Sequence, residues 1–214
     1  MATRSSYRTL AVGVEATGEV VDRRSRFIAQ LRHVTSERDA GEFVAEVRAR
    51  HHDARHNVSA WILADGRERC SDDGEPQRTG GTPVLEVLRG AGLADVCCVV
   101  TRYFGGTLLG PGGLARAYAA AAQAALATAE VDGLLVTMTQ VTRVICVIPY
   151  GAYGRAERLV ADCGGRVQDS IFAQDVQLTC AFPAGDEGRF VSALSELMAG
   201  EDVCLVSEPT FSEL

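Results

Sequence analysis

The sequence VVTRYFGGTLLGPGGLARAY, residues 99–118, defines the architecture of the first half of the chain, because it joins an apolar strand to an alanine-rich helix through a glycine-rich segment. Glycine lets backbone N–H groups approach a ligand closely, and the first turn of a helix presents unpaired N–H donors at the positive end of its dipole. Arg102 and Arg116 flank the segment with full positive charges. The pattern predicts an anion-binding junction, and the alternative is a tight strand-to-helix turn that binds nothing.

The spacing of these glycines excludes two common phosphate-binding motifs. A P-loop needs Lys and then Ser or Thr directly after its last glycine, whereas Gly113 is followed by Leu114 and the chain contains no lysine. The dinucleotide fingerprint needs G-x-G-x-x-G spacing and an acidic residue about 20 positions later, which this segment lacks. We expect the anion to be held by the residues of the segment itself, namely Arg102, Gly105, Gly106, Gly110, Gly112, Gly113 and Arg116.

Length and composition indicate a globular protein with room for two modest domains. The chain has 214 residues, of which 47% are hydrophobic and 23% charged, and no apolar run approaches the ~18 residues of a membrane span. The N-terminal region lacks the apolar stretch of a secretory signal. Seven cysteines with no C-x-x-C pair favour reduced thiols. We therefore expect a cytoplasmic monomer that needs no cofactor, binds no metal and does not associate with membranes.

Charge is distributed unevenly along the chain, whose net charge is −7. Residues 1–134 contain 16 arginines and 17 acidic residues, whereas residues 135–214 contain five arginines and 11 acidic residues. The first part can therefore carry a local basic face despite the negative total, and a mixed, solvated surface is the alternative.

Hydrophobic periodicity predicts two α+β units, with a boundary between residues 133 and 134. In the first unit we expect strands at 26–32, 57–64 and 96–104, and helices at 36–50, 82–88 and 114–129. Ser36 is placed to cap the first helix, and the apolar stripe of that helix consists of Ala40, Phe43, Val44 and Val47. After a polar loop at 67–81, Thr82 and Pro83 suit the N-cap and the first position of the second helix.

The second unit has a simpler pattern. We expect a strand at 137–148, a helix at 153–163, strands at 166–172 and 176–182, a helix at 187–198 and a strand at 203–206. This βαββαβ order is typical of the ferredoxin-like arrangement, in which two helices cover one face of a small antiparallel sheet.

Two further clusters contain residues that can carry chemistry. The histidines within residues 51–56 could bind a metal, or they could be favoured by the dipole at the end of the first helix, with His56 packed beneath the next strand. Asp72, Asp73 and Glu75 lie in one polar loop, where they could hold a divalent ion or supply an acid and a base. The alternative for this loop is a turn whose side chains bond their own backbone.

These motifs together resemble those of the IMPACT/YigZ family. The resemblance rests on Ser25-Arg26-Phe27-Ile28-Ala29, on His56 with Ala60-Trp61, on Ser71-Asp72-Asp73-Gly74-Glu75-Pro76 with Thr79 and Gly81, and on residues 100–118. The βαββαβ segment is similar to the second domain of the family, so the resemblance covers nearly the entire chain.

The chain departs from the family pattern in both loops. Gln77-Arg78 stands where the family usually has a small residue and glycine, and Leu108 replaces the lysine that is usual between the glycine pairs. If that lysine contacts phosphate, Arg78 on the neighbouring loop is the candidate that compensates for its loss.

The resemblance implies a first domain like the ribosomal-protein module that also forms domain IV of elongation factor G, and a second domain like domain V of that factor. It also implies a link to translation, because the eukaryotic relatives are regulators that bind a partner in the pathway sensing amino-acid starvation. It supplies no catalytic residue. We expect a non-enzymatic protein whose first domain binds RNA, the ribosome or an acidic surface of the translation machinery. The alternative is a small metal-dependent hydrolase or phosphotransfer enzyme that uses Asp72, Asp73 and Glu75.

Overall fold

The computed structural model describes residues 6–213. The chain forms two compact units, Tyr7–Thr137 and Met138–Leu214, and Ser6 groups with the second. Both units contain helices and strands, so the predicted α+β class is confirmed. None of the described helices is long and apolar enough to cross a membrane.

The first unit is built on a five-stranded antiparallel sheet in the order β2-β3-β6-β4-β5. The strands of this part of the chain are β1 (Ser6–Leu10), which is not in that sheet, and β2 (Glu15–Asp22), β3 (Ser25–His33), β4 (His56–Ile62), β5 (Glu68–Ser71) and β6 (Val96–Tyr103), which form it. Its helices are α1 (Glu37–Arg50), α2 (Gly81–Gly90) and α3 (Gly110–Val131). Strand β1 does not belong to this sheet. Its residue Arg8 accepts a hydrogen bond from the Ala94 N–H at 3.0 Å through its backbone carbonyl.

Alternating residues of the central strand β6 face different helices. Cys97 and Val99 belong to the buried cluster that contains Phe43 of α1. Phe27 of β3 is the register partner of Arg102, and its ring packs against Tyr118 of α3 with centroids 5.0 Å apart. Because successive strand residues point to opposite faces, α1 covers one face of the sheet and α3 the other. Helix α2 packs beside α3 and against β4.

Helix α1 follows the prediction closely. The Ser36 side chain accepts a hydrogen bond from the Asp39 N–H at 3.1 Å, which satisfies one of the free donors of the first turn. Ala40, Phe43 and Val47 are buried, and Val44 packs at the edge of the same cluster. Local capping and one apolar stripe were therefore sufficient to place this helix.

Three predictions for the first unit were wrong. The polar loop at 67–81 contains β5, whose residues are all exposed and therefore show no apolar alternation. The N-cap of α2 is Gly80 rather than Thr82. Helix α3 begins at Gly110 rather than Leu114, because Pro111 has a backbone angle suited to a first turn. Strands β1 and β2 were not predicted.

The second unit has the predicted βαββαβ order with one additional strand at its end. Its elements are β7 (Leu135–Ile148), α4 (Tyr150–Asp162), β8 (Arg166–Phe172), β9 (Val176–Pro183), α5 (Glu187–Leu197), β10 (Cys204–Val206) and β11 (Thr210–Ser212). Strand β9 lies between β8 and β7, and β10 and β11 both pair antiparallel with β7. Phe182 of β9 and Phe190 of α5 stack at 5.0 Å within the core.

Candidate anion-binding site

The end of β6 brings together three side chains on the face of the sheet that α3 covers. The register places Arg102 between Phe27 of β3 and His56 of β4. Because directly paired residues of antiparallel strands point to the same face, all three side chains face α3. The predicted site residues Arg102 and His56 are therefore neighbours, although 46 positions separate them in the sequence.

Arg102 is a buried member of an ion pair. Only 6% of the residue is exposed, and its Nη1 donates to Oε1 of Glu75 at 2.6 Å. Its guanidinium carbon lies 5.5 Å from the ring centroids of both Phe27 and Phe104. The Nε of Arg102 has no hydrogen-bond partner among residues 6–213. Glu75 therefore already balances the charge of Arg102 within the protein, and anion binding by Arg102 stays a prediction.

Glu75 joins the acidic loop to the glycine-rich segment. In addition to Arg102, it accepts a hydrogen bond from the Tyr118 hydroxyl of α3 at 2.8 Å. Burial, together with the adjacent Glu75, raises the pKa of Tyr118, so its hydroxyl stays a proton donor. The Glu75 carboxylate therefore joins three elements, namely the loop that follows β5, the end of β6 and the third turn of α3.

Asp72 and Asp73 hold the backbone of their own loop and its neighbours. Asp72 accepts hydrogen bonds from the N–H groups of Arg78, Gly80 and Gly81 at 2.8, 2.9 and 2.8 Å. Burial alone would raise the pKa of Asp72, but these three donors lower it overall. Asp73 accepts from the Asn57 N–H at 2.6 Å and pairs with Arg48.

These contacts favour the structural interpretation of the acidic loop. Asp72 supplies the helix cap that was assigned to Thr82, and Glu75 is the partner of a buried cation. Among residues 6–213, no group of three or more histidine, cysteine or acidic side chains is arranged to hold a metal ion.

His56 is partly buried at the start of β4, and its Nδ1 lies 2.8 Å from the carbonyl oxygen of Asp73. A carbonyl can only accept a hydrogen bond, so Nδ1 carries the proton. In the neutral imidazole, Nε2 therefore keeps a free lone pair. His56 was expected to pack beneath the next strand, but it is the first residue of that strand and contacts the acidic loop.

The glycines of the segment have different roles. A Cβ on Gly105 would lie 2.1 Å from the carbonyl carbon of Arg24, so Gly105 is required for close packing against the turn between β2 and β3. The Gly105 N–H donates to the Ser25 hydroxyl at 3.1 Å, which fixes the same contact. Gly106 and Gly110 have φ angles of +85° and +70°, which glycine adopts without strain.

The remaining two glycines lie in the first turn of α3, and not in a loop before it. A Cβ on Gly112 would meet only Nη1 of Arg116, at 3.6 Å, whereas Gly113 packs against Leu109. Gly112 and Arg116 thus share an open helix face. The backbone amide of Gly105 is engaged with Ser25 within the protein, and anion binding by the other glycines of the segment stays a prediction.

Sequence reasoning missed two arginines at the turn between β2 and β3. Arg23 and Arg24 have φ angles of +46° and +68°, in the left-handed region that such two-residue turns require and that Asn-Gly usually supplies. Arg24 donates to the Thr107 hydroxyl at 3.2 Å, and Arg23 to the Leu108 carbonyl at 3.4 Å. The signal in the sequence was a pair of arginines between two alternating segments.

Exposed arginines surround this end of the unit. We use the name arginine rim for Arg23, Arg24, Arg55 and Arg116, which are all exposed and have no carboxylate partner among residues 6–213. An adjoining cavity of about 240 Å³ is lined by Arg55, His56, Arg102, Phe104 and Leu108. Arg78 is exposed with a φ of +62°, and the compensation proposed for it stays a prediction.

Comparison with known proteins places this architecture in a family. Residues 23–126 match the Impact N-terminal domain, and residues 146–201 match a domain of unknown function, DUF1949. The chain is 36% identical over 182 residues to the IMPACT family member YigZ of Escherichia coli (strain K12). The alignment covers 83% of this chain and 87% of YigZ. The chain belongs to the IMPACT family.

A solved structure and a eukaryotic protein also resemble large parts of the chain. A solved crystal structure, described as that of a hypothetical protein, has 33% sequence identity to this chain and superposes with a TM-score of 0.63. The superposition covers 95% of this chain and 97% of the solved chain. A protein IMPACT homolog of Saccharomyces cerevisiae (strain ATCC 204508 / S288c) is 34% identical over 106 residues, 46% of this chain and 40% of that protein. The two-unit architecture is thus shared with a solved protein, and the family reaches into eukaryotes.

Proposed function

We propose that this protein binds RNA phosphate through the arginine rim and acts in translation or its regulation, without catalysing a reaction. The observation that carries the proposal is the lack of carboxylate partners around the rim. Most other exposed arginines of the first unit do have such partners, namely Arg8, Arg26, Arg38, Arg48, Arg50, Arg67 and Arg89. In a chain of net charge −7, a local group of unpaired arginines favours an anionic ligand.

Backbone strain at the rim supports a functional role. Left-handed φ angles at two successive non-glycine residues cost free energy, and such strain concentrates at ligand-binding positions. The guanidinium groups of Arg23 and Arg24 are held against neutral acceptors, which leaves their charges uncompensated. A guanidinium group can also donate two parallel hydrogen bonds to the oxygens of one phosphate. A group of neighbouring arginines therefore suits a phosphate ligand better than isolated charges scattered over a surface.

The link to translation comes from the family. The chain is an IMPACT protein, and the resemblance described above implies that eukaryotic members regulate translation. A ribosome or a structured RNA is the partner whose phosphates best suit the rim. We place the protein in the cytoplasm on the same basis.

The test is the salt dependence of RNA binding. Fluorescence anisotropy with a labelled RNA hairpin, at several salt concentrations, should give an affinity that falls steeply as salt rises. The variant R23Q/R24Q/R116Q should lower the slope of log K against log salt by about 2 to 3, because each phosphate contact contributes about 0.7 to 0.9. The control R155Q/R158Q/R166Q removes three exposed arginines from the second unit and should leave the slope unchanged.

Three outcomes would contradict the proposal. Absence of binding at 50 mM salt would exclude the RNA ligand. An unchanged slope in R23Q/R24Q/R116Q would show that RNA binds elsewhere. Equal competition by polyglutamate and by RNA would instead favour an acidic protein partner.

A further inference from the structure

The cavity beside the arginine rim has two chemically different sides. Phe104 and Leu108 supply an aromatic and an apolar surface, whereas Arg55, His56 and Arg102 supply hydrogen-bonding groups. We infer that this cavity binds a single nucleotide, with its base against Phe104 and its phosphate against Arg55. The inference rests on the proposed function and specifies the ligand at the same site.

Phe104 is the surface for the base. It directly follows the end of β6, and 49% of it is exposed. The Arg102 guanidinium lies 5.5 Å from its ring centroid, so a buried cation supports the ring while much of the ring stays open to solvent. Bases of every type stack on exposed aromatic rings of this kind, because each base has a flat π surface. Leu108, 81% exposed, extends the apolar surface.

The polar side of the cavity has unused hydrogen-bonding capacity. Arg55 is exposed and has no carboxylate partner among residues 6–213, so its charge is available to a phosphate. Arg102 is more than nine-tenths buried, and its Nε finds no acceptor within the described residues. This Nε is itself enclosed by protein atoms, so the exposed charge that faces the cavity is that of Arg55. His56 adds a free Nε2 lone pair when neutral.

The size of the cavity sets the size of the ligand. Its volume is about 240 Å³. Sites for drug-sized ligands usually measure about 300–1,000 Å³, so this cavity suits one small group and excludes a helical segment of RNA. A base can reach Phe104 only when it is unstacked, as in a loop or a single strand. The same chemistry is offered by a free nucleoside monophosphate.

Titration calorimetry can separate base recognition from phosphate recognition. The probes are the oligonucleotide r(A)12, an abasic ribose-phosphate 12-mer and AMP. The variant F104L should weaken binding of r(A)12 about tenfold, in the range known for loss of one stacking contact, and should leave binding of the abasic strand unchanged. F104W should restore r(A)12 binding, and its fluorescence should be quenched by the oligonucleotide. F172L is the control, since Phe172 is 56% exposed and lies in the second unit.

The outcomes distinguish this inference from the proposed function. Equal binding of r(A)12 by F104L and the parent protein would overturn the nucleotide cavity, while a salt slope that still depends on the arginine rim would leave the RNA proposal intact. Equal affinity of the parent for r(A)12 and the abasic strand would also overturn it. AMP binding that F104L and Arg55→Gln both weaken would support it and identify a free nucleotide as a ligand. Selective binding of r(A)12 would support it and identify an RNA strand.

Discussion

Nη1 of Arg102 and Oε1 of Glu75 lie 2.6 Å apart in the interior of the first unit. This pair connects β6 to the acidic loop that follows β5, and Tyr118 extends the connection to α3. Two sequence motifs that were interpreted separately, one acidic and one glycine-rich, are therefore parts of one hydrogen-bonded structure. Its main consequence is that Glu75 acts on the site through Arg102 and is not available to a ligand.

Replacing Glu75 with Gln should destabilise the protein by about 3–5 kcal/mol, because it leaves the buried Arg102 guanidinium without its counter-charge. Urea unfolding followed by circular dichroism measures this change. The control is Glu68→Gln, which removes an exposed ion pair with Arg89 and should cost about 0–1 kcal/mol. Equal effects of the two substitutions would contradict a structural role of the buried pair.

Replacing Asp72 with Ala should cost about 1–2 kcal/mol, the usual range for loss of a helix cap. The physical reason is that the N–H groups of Gly80 and Gly81 lose their acceptor at the start of α2. Asp72→Asn keeps one acceptor oxygen and should cost less. Magnesium at millimolar concentration should leave the thermal midpoint of the parent protein unchanged. A magnesium-dependent rise that Asp72→Asn abolishes would instead indicate a metal site.

The double substitution R23N/R24G should stabilise the protein by about 1 kcal/mol, because Asn-Gly adopts the left-handed turn with less strain. The same change should weaken RNA binding, since two rim charges are lost. Thermal unfolding and anisotropy on one preparation test both effects. If the variant were more stable but bound RNA as tightly as the parent protein, the strained turn would have no role in RNA binding.

The free energy of unfolding should decrease as the pH falls from 7.5 to 5. Burial lowers the pKa of His33 below its ordinary value, with Asp95 and Asp39 only partly opposing this effect. The folded state therefore binds the proton more weakly than the unfolded state, so stability is lost below the unfolded pKa of about 6.5. His33→Asn, which can retain the contact with Thr9, should flatten the dependence in urea titrations at several pH values. His51, whose pKa is also lowered, should account for part of the remainder.

Elements with strong local signals could be predicted from the sequence. Helix α1 combines a capping serine with one apolar stripe, and β8 was predicted with the bounds that the structure has. Strand β5 could not be found, because its residues are exposed and its place depends on pairing with β4. The two strands form a hairpin, and an exposed strand of a hairpin has no apolar periodicity from which to predict it.

The candidate site shows the same division. Residue types singled out Arg102, His56 and Glu75, which the structure brings together, but they did not predict the contacts that these residues make. A carboxylate beside a glycine has the same appearance in sequence whether it binds a metal, caps a helix or neutralises a buried arginine. Asp72 and Glu75 perform the second and third of these functions. Only tertiary contacts distinguish these three roles of a carboxylate. Nor does the sequence show that the exposed residues Arg55 and Phe104 line one cavity.

The absence of lysine from this chain has a consequence for the surface built around α3. A guanidinium group keeps its proton well above a pH of about 11, whereas a lysine amine, with an ordinary pKa of about 10.4, loses its charge near that pH. The attraction to polyanions that we propose for the arginine rim should therefore persist across the alkaline range, and it should be unaffected by acetylating enzymes that act on lysine side chains.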